Sequence, residues 1–219
     1  MGKGFHGSSQ GAVDFLGEVA DAGNAHGVGP AMLAVAEHRH VGLGRGAAID
    51  RLPCVPIVGN TSARVAGVKV SAFRGDGRLM AEAQIASYRR FGYDSIRVFT
   101  DLYTQAEAMG AVVRYPDDET AFLEPPATRG LADPELRPAD PLRDGNLPAH
   151  LEAAARVLDA VGKEVPVTVA LTGPFTTASC LVGTENLVRL TLHRPEAVHR
   201  LCGRGRAATL RICGKTGPI

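Results

Sequence analysis

Charge of one sign is missing from this chain of 219 residues: 24 Lys and Arg stand against 23 Asp and Glu, for a formal net charge of +1. Such a balance gives no long-range field to gather phosphate backbones or anionic lipids, so neither nucleic acid nor a membrane surface is expected as a partner. No apolar run reaches the roughly 18 residues that a spanning helix needs. The N-terminal stretch carries Lys3 without a continuous apolar block, so the chain reads as cytoplasmic, without a cleaved signal. Cysteine is sparse. Cys54, Cys180, Cys202 and Cys213 stand far apart and form no C-x-x-C pair, which argues against a disulfide scaffold and against a compact zinc knuckle. Reduced, buried thiols are the default reading. Neither a G-x-G-x-x-G nor a Walker loop occurs, so a nucleotide-binding doubly wound sheet has little support.

With 45% hydrophobic positions the chain can bury one sizeable core. Residues 1–30 form a Gly-rich leader in which Ala12 to Ala20 suggest one weak helix. Domain structure is expected over 31–219, starting with a helical stretch from Ala31 to Leu43 and a short strand, Cys54 to Val58, that ends at Gly59-Asn60. Leu79, Met80, Ala83, Ala86 and Phe91 mark a helix closed by Gly92, and Ser95 to Phe99 is the next strand. Thr104 and Glu107 stand at capping-box spacing before a helix that stops at Gly110. Two extended pieces follow, Ala111 to Tyr115 and Ala121 to Leu123, and then a long irregular connection from Glu124 to Asn146. Leu147, Leu151, Ala154, Leu158 and Val161 define a helix with Pro148 in its first turn and Gly162 at its end. Val165 to Leu171 is a strand running into Thr172-Gly173-Pro174-Phe175, which opens another helix. Thr184 and Pro195 start two more helices, and Thr209 to Gly214 reads as a last strand. Strands alternating with amphipathic helices indicate parallel β/α units, whose chemistry sits at the C-terminal ends of the strands.

Several motifs carry a family resemblance. Val98-Phe99-Thr100-Asp101-Leu102-Tyr103 through Gly110, continuing to Glu124-Pro125-Pro126, resembles the corresponding stretch of the uroporphyrinogen decarboxylase superfamily. Asp50-Arg51-Leu52-Pro53, Gly173-Pro174-Phe175-Thr176 and Arg194-Pro195-Glu196 resemble the same superfamily, in the same order. Leu210-Arg211-Ile212-Cys213-Gly214 looks like the H-x-C-G motif of its corrinoid-dependent methyltransferase branch. The resemblance implies an α/β fold built as an incomplete TIM-type (β/α)8 barrel of parallel strands. One β/α unit is missing before the last motif, and a full barrel of this type takes roughly 250 residues. Open sheet edges of a partial barrel would invite self-association.

What the resemblance implies for chemistry is zinc-assisted methyl transfer, from a methyl-corrinoid carried by a partner protein to a small thiol. Cys213 is the candidate metal ligand, since a thiolate and an imidazole hold zinc tetrahedrally and leave room for an incoming thiol. Arg211 stands where the family has the histidine, and a guanidinium donates hydrogen bonds and cannot ligate a cation. Asp101 is the candidate catalytic carboxylate, matching the one that decarboxylases use to hold pyrrole nitrogens, and a helix cap is the alternative reading. Gly173, Phe175 and Thr176 are the candidate cofactor-contacting residues. Cys213 has an alternative too, as an ordinary buried thiol at a strand end. His38, His40, His193 and His199 have no partners at metal spacing, Glu107 reads as a capping-box residue, and Arg204, Arg206 and Arg211 as a solvated basic cluster. Two other functions compete. One is uroporphyrinogen decarboxylation on a tetrapyrrole, although the R-Q-A-G-R loop of that branch is replaced by Gly59 to Arg64 and its tyrosine by Cys180. The other is a non-catalytic fragment of such a barrel.

Overall fold

A computed structural model describes residues 52–124 and 138–216. The leader over 1–30, the helix from Ala31 to Leu43 with His38 and His40, Asp50-Arg51, Pro125-Pro126 and much of the connection after Glu124 lie outside the described residues.

The first described element, α1 (Thr61–Ala66), is followed by α2 (Val70–Gly75) and α3 (Gly77–Phe91). The Asp76 side chain accepts the Leu79 N–H at 2.9 Å and so caps α3, while Gly92 closes it in the left-handed conformation at φ 63°. That turn leads into strand β1 (Ile96–Val98), whose β-branched Ile96 and Val98 are fully buried. After β1 come α4 (Thr104–Ala108), the short strands β2 (Val113–Arg114) and β3 (Phe122–Leu123), and α5 (Leu147–Val161). The chain continues through β4 (Val167–Val169), α6 (Pro174–Val182), α7 (Thr184–His193) and α8 (Pro195–Thr216).

β1 and β4 pair in parallel, with Ile96 opposite Val167, Arg97 opposite Thr168 and Val98 opposite Val169. β2 and β3 form a separate antiparallel pair, Val113 with Leu123 and Arg114 with Phe122. The parallel pair is the expected β/α arrangement, and its two strands end side by side. α3 and α5 pack on it, and Phe73, Met80, Ala83, Val157 and Val161 fill the space between. A second cluster, including Met109, Leu147, Ala178, Leu181, Leu187, Leu201 and Ile212, joins α4, α6, α7 and α8.

Three expectations are corrected. Residues 54–58 form no strand and belong to no ladder among the described residues; Cys54 instead pairs with Asp94, whose N–H donates to the Cys54 carbonyl at 2.8 Å and whose carboxylate accepts the Cys54 N–H at 2.8 Å. The piece from Thr209 to Gly214 is not a strand but part of the 22-residue α8. Leu201, Gly205, Ala208 and Ile212 are all buried at spacings of four, three and four, a helical stripe that seats α8 on its neighbours. Gly205 makes the seat possible, since a Cβ there would come within 3.1 Å of the Pro174 carbonyl and 3.2 Å of its Cα. The third concerns the start of α4, where Thr104 is the first helical residue and not the cap.

Candidate functional site

Parallel pairing delivers the loop after β1 and the loop after β4 to the same end of the sheet. Two bonds stitch these loops together. Thr172 donates through Oγ1 to the Leu102 carbonyl at 3.1 Å, and its backbone N–H donates to Gln105 Oε1. The other end of the Gln105 amide donates from Nε2 to Thr209 Oγ1 at 3.1 Å, which ties α8 to the same rim.

Asp101 sits directly after this strand end. Its Oδ1 accepts the N–H of Tyr103 at 2.6 Å and the N–H of Thr104 at 3.1 Å, so it caps α4. Its Oδ2 is ion-paired with Nη2 of Arg74 from α2. The two side chains are 5% and 2% exposed, which makes this a buried pair. Above the guanidinium lies Tyr115, with the Arg74 Cζ 3.7 Å from its ring centroid. Burial pushes the Tyr115 phenol well above its ordinary value; Arg74 opposes the shift, and the carboxylates of Glu107 and Asp101 add to it. Glu107 accepts from Asn146 Nδ2 at 3.3 Å, and so does not reach back to cap α4.

His150 of α5 completes the cluster from below. It is 4% exposed. Burial holds its pKa below the ordinary value, partly opposed by the Asp101 carboxylate, with Arg74 acting in the same direction as burial. Cys180 on α6 is buried, and the same desolvation raises its thiol.

Among the residues singled out by sequence, Asp101 therefore lies in a buried polar cluster. Gly173, Phe175 and Thr176 lie at the start of α6, just after Thr172, with Gly173 and Phe175 exposed. Cys213 is exposed on α8, and it does not share a strand rim with Asp101. Arg211 is exposed as well, and donates to the Pro138 carbonyl at 3.3 Å. Among the described residues no three His, Cys, Asp or Glu side chains gather as a metal would require. Sequence reasoning missed Arg74 and His150. Arg74 has no local signal, because a charged residue near a helix end reads as solvated. His150 did have one: Leu147, His150, Ala154, Val157 and Val161 repeat at three and four, and all are buried.

Residues 36–214 match the family model of uroporphyrinogen decarboxylase. The chain belongs to the uroporphyrinogen decarboxylase family. Its curated relatives divide between two activities. The methylcobamide:CoM methyltransferase of Methanosarcina barkeri is 30% identical over 120 residues, covering 54% of this chain and 35% of that protein. The uroporphyrinogen decarboxylase of Myxococcus xanthus is 32% identical over 133 residues, covering 58% of this chain and 37% of that protein. The chain thus spans little more than a third of the length of these relatives. A solved methyltransferase from Methanosarcina mazei shares the fold, with a TM-score of 0.67 at 22% identity over 77% of this chain and 51% of that one. In this member of the family the parallel strands and their stitched loops are present, while the polar cluster is organised around a buried arginine. No helix among the described residues is long and apolar enough to cross a membrane.

Proposed function

We propose that this chain is a methyltransferase-like member of the family, acting in the cytoplasm as part of an incomplete (β/α)8 barrel. Its reaction is transfer of a methyl group from a methyl-corrinoid, carried on a partner protein, to a small thiol at the rim formed by the loops after β1 and β4. In that step a sulfur–carbon bond forms, the cobalt–carbon bond breaks with its electron pair left on cobalt, and the thiol proton is released.

The observation that carries this reading over decarboxylation is the state of Asp101. A carboxylate meant to hold pyrrole N–H groups needs lone pairs facing the substrate. Here Oδ1 is taken by two backbone N–H groups and Oδ2 by Arg74, in a place with almost no solvent exposure. Methyltransferases stand among the curated relatives of this chain beside decarboxylases, and Asp101 is what separates the two readings.

Zinc does not fit the described residues. Cys213 stands exposed two residues after a guanidinium, and among the described residues no set of three ligand side chains converges there. Asp101 and Arg74 form a buried ion pair just after β1. The test is to incubate the purified chain with methylcobalamin and coenzyme M, with and without added zinc, and to measure the methyl thioether by mass spectrometry. Methyl thioether formed above the protein-free rate supports the reading. No product in either condition, or release of carbon dioxide from uroporphyrinogen instead, contradicts it.

A further inference from the structure

We propose that Arg74 is a built-in occupant of Asp101, the residue that keeps this site from accepting substrates that present N–H groups, tetrapyrroles above all. A carboxylate accepts about four hydrogen bonds, two at each oxygen. At Asp101 the inner oxygen already receives the N–H of Tyr103 at 2.6 Å and of Thr104 at 3.1 Å, with Thr104 Oγ1 a further 3.5 Å neighbour. The outer oxygen faces the Arg74 guanidinium and has no accessible surface. A guanidinium is a planar array of N–H donors, so it presents to the carboxylate the same chemistry as a ring of pyrrole nitrogens would.

Arg74 is held in that position and cannot swing aside at low cost. It is 2% exposed, and its guanidinium is covered on one face by the Tyr115 ring at 3.7 Å. Phe73, the residue before it, is fully buried in the core and anchors α2. Just beyond, at the start of α3, Gly77 lies so close to α5 that a Cβ would meet the Ala149 carbonyl at 2.6 Å, which fixes this end of the α2–α3 unit against α5. The occupant is thus clamped from the side, from behind and from the next helix. Its Nε and Nη1 have no hydrogen-bond partner, so the ion pair with Asp101 and the ring stacking are what hold its head in place.

Exclusion of N–H donors by Arg74 rests on the same Asp101 pairing that carries the proposed function, and it is tested without any methyl donor, so that a failure of either can be told from a failure of the other. Uroporphyrinogen, kept reduced under anaerobic conditions, is titrated into wild type, Arg74→Ala and Arg74→Ala/Asp101→Asn, with circular dichroism to verify folding. The expectation is an affinity for Arg74→Ala about tenfold or more above the wild-type value, or above the upper limit that the titration sets on it, the size of a charge-assisted hydrogen bond. The gain should disappear in the double variant, whose amide is no longer an anionic acceptor. Guanidinium ion at low millimolar concentration provides the second arm: it should raise the thermal midpoint of Arg74→Ala, or restore its fold if the variant does not fold alone, and leave wild type unmoved. Equal uroporphyrinogen binding by wild type and Arg74→Ala, or an Arg74→Ala variant indifferent to guanidinium, would overturn the proposal.

Discussion

Gln105 and Thr172 meet amide to backbone in the buried interior, the Gln105 carbonyl oxygen accepting the Thr172 N–H while its nitrogen reaches Thr209. One side chain, 2% exposed, thereby joins the loop after β1, the loop after β4 and helix α8. Replacing it by Ala leaves a buried backbone N–H without an acceptor, which costs about 1–3 kcal/mol. Thr209→Val removes the bond from Gln105 Nε2 and the bond that the Thr209 hydroxyl donates to the Gly205 carbonyl, but leaves the Thr172 N–H satisfied, and should cost about 1 kcal/mol. Urea unfolding of the two variants checks the ranking; equal losses would mean that the Thr172 bond contributes nothing beyond the other.

His150 sets a pH dependence. Its folded-state pKa lies below the ordinary value near 6.5 because burial disfavours the imidazolium. The unfolded chain therefore takes up a proton first as pH falls, while the folded chain does not, so stability is constant above about 6.5 and declines below it. His150→Leu, which has no proton to bind in either state, should flatten that part of the profile. Unfolding free energies measured from pH 7.5 to 5 for both proteins test this, and an unchanged slope in His150→Leu would assign the acid sensitivity to other groups.

Two glycines of α8 should respond in opposite directions to the same substitution. A methyl group added at Gly203 would meet no atom within 4 Å, so Gly203→Ala gains helix propensity of about 0.5–1 kcal/mol. Gly205 faces the Pro174 backbone at 3.1 Å, so Gly205→Ala forces α8 away from α6 and should cost about 1–3 kcal/mol despite the same propensity gain. Thermal unfolding separates them, and stabilisation by both changes would show that α8 does not sit on α6 as closely as described.

Whether an element can be read from sequence depends on how local its cause is. The helix at Leu147–Val161 can, because its period and its Pro148 and Gly162 signals all lie within the segment. Its inward face is slightly rotated from the one its leucines suggest: Leu151 and Leu158 are half-buried, whereas His150 and Val157 point fully inward. Strand β1 and the helix start at Pro174 are legible for the same reason. The segment from Thr209 misleads because Gly203 and Gly205 look like breakers and Thr209 to Ile212 look β-like, although the Leu201, Gly205, Ala208, Ile212 stripe already carries the helical period. At the candidate site, Asp101 is legible from its motif and from its capping position. Arg74 is not, because a buried arginine is specified by partners distant in sequence, Asp101 and Tyr115, and nothing adjacent to it announces them.

Arg74 and Asp101 form one buried unit at the end of β1, and a double-mutant cycle measures that unit directly. Unfolding free energies are needed for wild type, Arg74→Met, Asp101→Asn and the double variant. Each single change strands one buried polar group and should cost about 3–5 kcal/mol, whereas the double variant should cost clearly less than the sum, with a coupling of about 2 kcal/mol or more. Single costs that add within about 0.5 kcal/mol would show two independent residues, and the site would then have no buried pair at its floor.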